Sequence, residues 1–176
     1  MTGVISQVPL DLELRTPAGE LARLGDCLAA PVTVVQLVRY FGCLPCQEWL
    51  IDLDRAVAAE KIGALAVGGS ADYQAAWLQE ERGVRMPLLL DPEHRFREQV
   101  DAVKPLCWRM ADPRGGAAYL RSLRHGFRPQ ALTRDSVRSP GVVILDRDGG
   151  VRWSYFGIRI GDYPPINLVL DVSARL

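Results

Sequence analysis

Leu10, Leu12 and Leu14 alternate with Asp11 and Glu13 through Pro9–Arg15. That period of two predicts a half-buried strand, stopped by the turn residues Thr16-Pro17-Ala18-Gly19. The run Pro31–Val38 is almost continuously apolar and β-branched, as expected of a central strand covered on both faces. The period then changes. From Gln47 to Glu60, Leu50, Leu53 and Val57 fall on one helical face, with Glu48, Asp52, Arg55 and Glu60 among the polar positions. Pro45 precedes this helix at a position where the first turn has no N–H partner to lose.

Ile62–Val67 predicts another apolar strand, closed by Gly68-Gly69. Ser70 is placed to cap a helix over Ala71–Arg82, with Gly83 as its stop. Pro87–Leu90 predicts a short buried strand and Glu93–Ala102 a helix. Gly141–Leu145 and Val151–Phe156 predict two strands joined by Asp146-Arg147-Asp148-Gly149-Gly150, a hairpin turn by composition. A last helix is expected over Pro165–Arg175. Strand–helix alternation implies parallel neighbours joined by right-handed crossovers, and the terminal hairpin adds an antiparallel edge. The expectation is an α/β fold with a mixed sheet, as one domain over residues 1–176.

Composition narrows the class without naming a function. The chain has 176 residues, 48% hydrophobic and 24% charged, with 21 basic and 21 acidic residues and a formal net charge of zero. That balance gives no overall attraction to nucleic acid or to an anionic membrane. The first residues, Met1–Gln7, show neither a basic region nor an apolar one, so no secretory signal is read. No apolar run reaches the roughly 18 residues of a spanning helix. The expected compartment is the cytoplasm, where four cysteines (Cys27, Cys43, Cys46, Cys107) point to catalysis or metal binding rather than to structural disulfides.

Two of the four stand as Cys43-Leu44-Pro45-Cys46 where the central strand passes into the first long helix. A thiol is a nucleophile only as thiolate, and a helix N-terminus or a Cys-x-x-Cys spacing lowers its pKa from about 8.5 to roughly 3.5–7.5. Cys43, at the positive end of the helix dipole, is the candidate nucleophile. Cys46, one turn inward, is the candidate resolving thiol, and Arg39 is a candidate for lowering the pKa of Cys43. Half of a zinc site is the rival reading, but Cys27, Cys107, His94 and His125 supply no second close pair. Two inert buried thiols are the other rival. Cys27 and Cys107 read as small buried apolar residues, and the two histidines as surface or capping residues.

The segment Val38-Arg39-Tyr40-Phe41-Gly42-Cys43-Leu44-Pro45-Cys46 resembles the Arg-x-Phe-Gly-Cys-x-x-Cys segment of peroxiredoxin-like proteins. These belong to the alkyl hydroperoxide reductase/thiol-specific antioxidant superfamily, in the branch with selenoprotein-U-like members. Pro140–Gly149 is similar to that branch's Pro-Gly-x-x-x-x-Asp-Arg-x-Gly hairpin, and Gly161-Asp162-Tyr163-Pro164-Pro165 to its segment before the last helix. The resemblance runs from about Pro9 to the C-terminus. It implies a thioredoxin-like three-layer fold with peroxiredoxin-type additions. It also implies that Pro140 packs beside the redox cysteine, where such a proline often follows a cis peptide bond. The chain departs from the Pro-x-x-x-Thr-x-x-Cys frame of peroxiredoxins. Counted back from Cys43 the frame meets Gln36 and Tyr40, and from Cys46 it meets Arg39 and Cys43. Tyr40 is the candidate substitute hydroxyl. Thioredoxin's own motif shares only the proline inside the pair, and its buried acid is replaced by Leu37.

Between Val103 and Arg138 lie eight basic residues (Lys104, Arg109, Arg114, Arg121, Arg124, Arg128, Arg134, Arg138) against Asp112 and Asp135, a net of about six positive charges. Leu106, Trp108, Tyr119, Leu123 and Phe127 interleave with them, so part of this basic insertion is expected to pack down and overhang Cys43. No nucleic-acid recognition motif accompanies the charge. The functional expectation is a thiol-dependent enzyme that reduces a small-molecule peroxide or disulfide through Cys43 and a Cys43–Cys46 disulfide. A thioredoxin-like protein or a low-molecular-weight thiol restores the pair, and no cofactor or metal is needed. The reading involves no nucleic acid or membrane partner and leaves room for a homodimer. The rival reading is a redox-sensing or partner-binding module with a reversible disulfide and little turnover.

Overall fold

The structure, a computed structural model, describes residues 7–176; the reading of Met1–Ser6 lies outside the described residues. At its centre is a five-stranded mixed sheet in the order β5-β4-β3-β6-β7. Its strands are β3 (Val32–Leu37), β4 (Gly63–Val67), β5 (Leu88–Leu89), β6 (Gly141–Asp146) and β7 (Val151–Phe156). β3 runs parallel to β4 and antiparallel to β6, and the predicted hairpin pairs β6 with β7 across a bulge at Ile144/Leu145. Because successive strand side chains point to opposite faces, the sheet divides its apolar residues between two buried layers. Val34, Val142 and Ile144 face α2 (Leu44–Val57), α3 (Asp72–Arg82) and α6 (Ile166–Ser173). Val35, Leu37, Leu65, Val143 and Leu145 face the other way, towards Leu24 of α1 (Leu24–Cys27) and Phe96 of α4 (Arg95–Gln99). The three-layer α/β expectation holds.

Three local readings change. The Pro9–Arg15 strand shrinks to β1 (Glu13–Arg15), which pairs with an unforeseen β2 (Leu21–Arg23) in a separate two-stranded sheet. Only Leu14 of the alternating leucines is deeply buried, while Leu10 stays 39% exposed. Ser70 does not cap α3, whose N-cap is Ala71. Its hydroxyl donates instead to Asp135 Oδ2 at 2.8 Å. The predicted Glu93–Ala102 helix contracts to α4 behind a left-handed His94.

The basic insertion is more regular than its sequence suggested. It holds α5 (Pro113–Arg124), with Pro113 in its first turn and the Asp112 carboxylate accepting from the Arg114 N–H, between two short 3-10 turns. Phe127 and Leu106 are buried and Tyr119 is half-buried, whereas Trp108 is 80% exposed and Leu123 is exposed. Cys107 is exposed, against the buried expectation, and Cys27 is half-buried. Among the described residues no helix is long and apolar enough to cross a membrane.

The turn after β4 is set by close backbone approach. Gly68 has φ 136°, and a Cβ there would lie 2.6 Å from the Val38 carbonyl oxygen at the end of β3. Gly83, the left-handed C-cap of α3, has φ 67° and open space around it. Gly68→Ala is therefore expected to destabilise the fold by at least about 1–3 kcal/mol, and Gly83→Ala by roughly 1 kcal/mol. Urea unfolding of the two variants checks the order; equal losses would remove the claim that Val38 crowds Gly68.

Candidate active site

β3 ends at Leu37, and the chain then makes a buried turn before α2 begins. The Cys43 N–H donates to the Tyr40 carbonyl at 3.1 Å, and the Gln47 N–H donates to the Cys43 carbonyl at 2.9 Å, the first bond of the helix. Cys43 is thus the N-cap of α2, with Leu44 and Pro45 filling the first two helical positions and Cys46 the third. A residue and the one three places on share a helix face, so both sulfurs meet on the same side of the first turn. The Sγ atoms lie 2.8 Å apart with the Cys46 thiol donating to Cys43. No disulfide joins them in this structure. Both cysteines are buried, at 0% and 1% relative exposure.

The turn and the neighbouring strand hold the pair with polar side chains. Gln36 of β3 donates through Nε2 to the Cys46 carbonyl (3.1 Å), and Gln47 donates to the Phe41 carbonyl (2.9 Å). Gln74 of α3 accepts from the Gly42 N–H (3.0 Å) and donates to the Ala131 carbonyl in the insertion (2.8 Å). The Tyr163 hydroxyl donates to the Leu37 carbonyl (3.1 Å), and its ring stacks on Trp49 at 5.0 Å.

Arg39 meets the pair directly. Its guanidinium is buried, donates through Nη1 to Cys43 Sγ at 3.5 Å, and donates through Nη2 to the Ser136 carbonyl in the insertion. It also lies 5.7 Å from the centre of the Tyr40 ring. The thiols respond as a unit that gives up one proton early and holds the other. Burial resists ionisation of Cys46, but the hydrogen bond with Cys43, the Arg39 charge and the Tyr163 hydroxyl together bring it down to about 7. Burial, and then the neighbouring Cys46, push the Cys43 thiol well up. The expectation from helix position alone placed the lower pKa on Cys43. With both sulfurs buried in contact, the charge belongs to the pair.

The other expected residues are distributed as follows. Tyr40 is buried at the site, with its hydroxyl 3.0 Å from that of Tyr119 on α5. Pro45 lines a cavity of about 310 Å³ that neither cysteine borders, with Glu48, Trp49, Asp52, Arg121 and Tyr163 also on its walls. Pro140 sits just before β6, buried, with its carbonyl accepting from the Gly157 N–H at 2.8 Å. The register of Leu37 opposite Gly141 puts it level with Val38. No peptide bond among the described residues is cis, so the Ser139–Pro140 bond is trans, unlike the frequent family arrangement.

Several site residues lay outside the sequence reading. In the sequence Tyr119 reads only as an apolar packing residue, and Tyr163 carries no signal beyond the resemblance of its segment. Ser136 enters through its carbonyl, which no side-chain pattern discloses. Glu48, one of the polar positions of the predicted helix, fastens the insertion to α2. It accepts from Ser122 Oγ and meets His125 Nδ1, each at 2.5 Å. His94, read as a surface or capping residue, is mostly buried and lies 3.4 Å from Asp135. Among the described residues no group of three or more His, Cys, Asp or Glu is placed to hold a metal ion.

No protein-family model matches this sequence, and no curated protein does either. Solved structures match by fold. Peroxiredoxin Q of Xanthomonas campestris superposes with a TM-score of 0.69 at 14% identity, covering 98% of this chain and 96% of that one. Peroxidoxin BcpB of Mycobacterium tuberculosis gives 0.64 at 15% identity, covering 98% and 96%. A secreted M. tuberculosis disulfide oxidoreductase described as homologous to E. coli DsbE gives 0.59 at 12% identity, covering 95% and 97%. The fold is therefore thioredoxin-like with the peroxiredoxin-type arrangement expected from the sequence motifs.

Three outcomes follow from this geometry. Removing the guanidinium in Arg39→Gln is expected to raise the first ionisation of the pair from about 7 by roughly 1–3 pH units; thiolate ultraviolet absorbance against pH reads it. In the reduced wild type, the stability from the depressed Cys46 is present above its ordinary 9.0 and is lost as pH falls through about 7. The raised Cys43 removes stability above 9.0. Urea midpoints should therefore climb from pH 7 to pH 9 and then turn down, and a flat profile would contradict the shared charge. Separately, brief alkylation of the folded dithiol should label the exposed Cys107 ahead of Cys43 and Cys46, as read by peptide mass.

Proposed function

We propose that this chain is a thiol oxidoreductase of the alkyl hydroperoxide reductase/thiol-specific antioxidant type, reducing a peroxide, or a disulfide as second substrate class, through Cys43 and Cys46. The observation that carries the proposal is the dithiol at the N-terminus of α2 with sulfurs 2.8 Å apart and Arg39 donating to Cys43. The Arg-x-Phe-Gly-Cys-x-x-Cys and Pro140–Gly149 segments support the selenoprotein-U-like branch within that type. The architecture supports the broader class.

In this reading the pair first loses one proton. Transfer of the remaining proton from Cys43 to Cys46, across 2.8 Å, leaves a Cys43 thiolate facing Arg39. The thiolate attacks the hydroxyl oxygen of a hydroperoxide: the S–O bond forms, the O–O bond breaks, and the alkoxide leaves to take up a proton. The Cys46 thiol then attacks the Cys43 sulfenic acid, forming the disulfide and releasing water. A dithiol protein or two equivalents of a small thiol reduce the disulfide by exchange, and are themselves oxidised to a disulfide. With a disulfide substrate, the same thiolate forms a mixed disulfide and expels a thiolate, and Cys46 releases the second half. The expected setting is the cytoplasm, whose thiol pool is reducing.

The burial of both sulfurs beneath the insertion favours a second reading, a redox sensor in which oxidation displaces that cover without sustained turnover. Steady-state kinetics decides between them. Dilute peroxide is expected to convert the reduced protein to a species about two mass units lighter, linking Cys43 to Cys46. With added thiol, turnover should persist in the wild type and vanish in Cys43→Ser, while Cys46→Ser should accumulate sulfenic acid. Oxidation that stops after one round supports the sensor. Unchanged oxidation in Cys43→Ser rejects the nucleophile assignment.

A further inference from the structure

Alkoxide or hydroxide leaving from an O–O bond needs a proton, because the conjugate acid water has a pKa of about 15.7. The frame that supplies a threonine hydroxyl in peroxiredoxins is missing here, and Tyr40 stands at that register. The Tyr40 ring is buried, and its backbone belongs to the same hydrogen-bonded turn as Cys43. Its hydroxyl does not act alone. Tyr119, carried in by α5 of the basic insertion, places a second hydroxyl 3.0 Å away. Two phenols own two O–H donors, and the bond between them uses only one. One O–H of this part-buried pair is left over. The Arg39 Nε is likewise buried and has no hydrogen-bond partner among the described residues. Two spare donors thus accompany Cys43 in the layer between the β3 end and α5.

We propose that the Tyr40–Tyr119 hydroxyl pair donates the proton to the oxygen leaving from a peroxide attacked by Cys43, with the basic insertion present in order to bring Tyr119 to the site. This rests on the peroxide reading above. In the step, the Cys43 sulfur bonds to the hydroxyl oxygen of the hydroperoxide and the O–O bond breaks. The leaving oxygen takes the spare phenolic proton, so alcohol and one phenolate result. The phenolate is refilled by water through Tyr119, the less buried of the two rings. Tyr119 acts as a positioning and relay residue through its bond to Tyr40. Burial raises the pKa of both phenols, and the charge on the cysteines raises it further, so the pair stays protonated until the oxygen leaves. The insertion's contribution to the chemistry is then a tyrosine.

The discriminating variable is the leaving group. An activated aromatic disulfide such as dithiobis(nitrobenzoate) expels a stable thiolate and needs no proton donor, so its rate reports thiolate formation and access alone. The test measures the rate constants of Cys43 oxidation by tert-butyl hydroperoxide and by this disulfide in wild type, Tyr119→Phe and Tyr40→Phe. Each variant removes one oxygen atom and keeps the ring that packs. The expected result is a fall of about 100-fold in the peroxide-to-disulfide rate ratio in both variants, the lower end of general-acid effects. A ratio within roughly threefold of wild type, whether the rates stay constant or fall together, overturns the proposal. If the wild type reacts with the disulfide but with no peroxide, the peroxide reading itself fails, and this proposal with it.

Discussion

A cation buried without an anion is costly to fold around, and the site is organised by that constraint. Arg39 is 2% exposed, and among the described residues its hydrogen bonds go to a sulfur and a carbonyl and none to a carboxylate. Its charge is answered by the Cys43 sulfur on one side and the Ser136 carbonyl on the other. The arrangement works in both directions. The guanidinium makes one thiolate affordable in a dry interior, and the thiolate gives the guanidinium the negative charge it otherwise lacks. The same side chain therefore meets the thiol pair and the insertion at once.

A second buried cation braces the frame behind the first. Arg97 of α4 donates to three backbone carbonyls, Val38 at 2.6 Å, Ser139 at 2.9 Å and Ala102 at 3.3 Å, and burial lowers its pKa to about 10. Val38 directly precedes Arg39 and Ser139 directly precedes Pro140, so Arg97 joins the end of β3 to the start of β6. Asp135 does similar work at the insertion's far end. It accepts from Ser70 and faces His94, and it adjoins the Ser136 carbonyl that holds Arg39. The insertion is thus held to the rest of the fold by Glu48 with Ser122 and His125 near α5 and by Asp135 near the second 3-10 turn, besides the bonds from Arg39 and Gln74.

Pattern alone identified the central sheet, because β-branched runs and strand–helix alternation report which segments are covered on both faces. It also identified the junction that carries Cys43 and Cys46, since that depends on a spacing of three residues and a proline in the first helical turn. It misjudged Leu10 and Ser70. Leu10 has the right alternation but no sheet beside it to cover it, and Ser70 has the right chemistry for a cap but a better acceptor in Asp135, 65 residues away.

What the sequence determined by itself was local: the elements, the dithiol, its place on the first turn of α2, and the nearness of Arg39 four residues earlier. What only the tertiary structure decided was how charge and protons are shared. Helix position favours Cys43 as the more acidic thiol, yet burial of both sulfurs in mutual contact gives the pair one early proton and one late one. Tyr119 stands 79 residues from Tyr40, and no periodicity encodes the 3.0 Å between their hydroxyls. Such pairings come from how α5 packs on α2. The energy of a buried hydrogen bond or charge depends on everything around it, whereas a strand or a helix turn depends mostly on its neighbours in the chain.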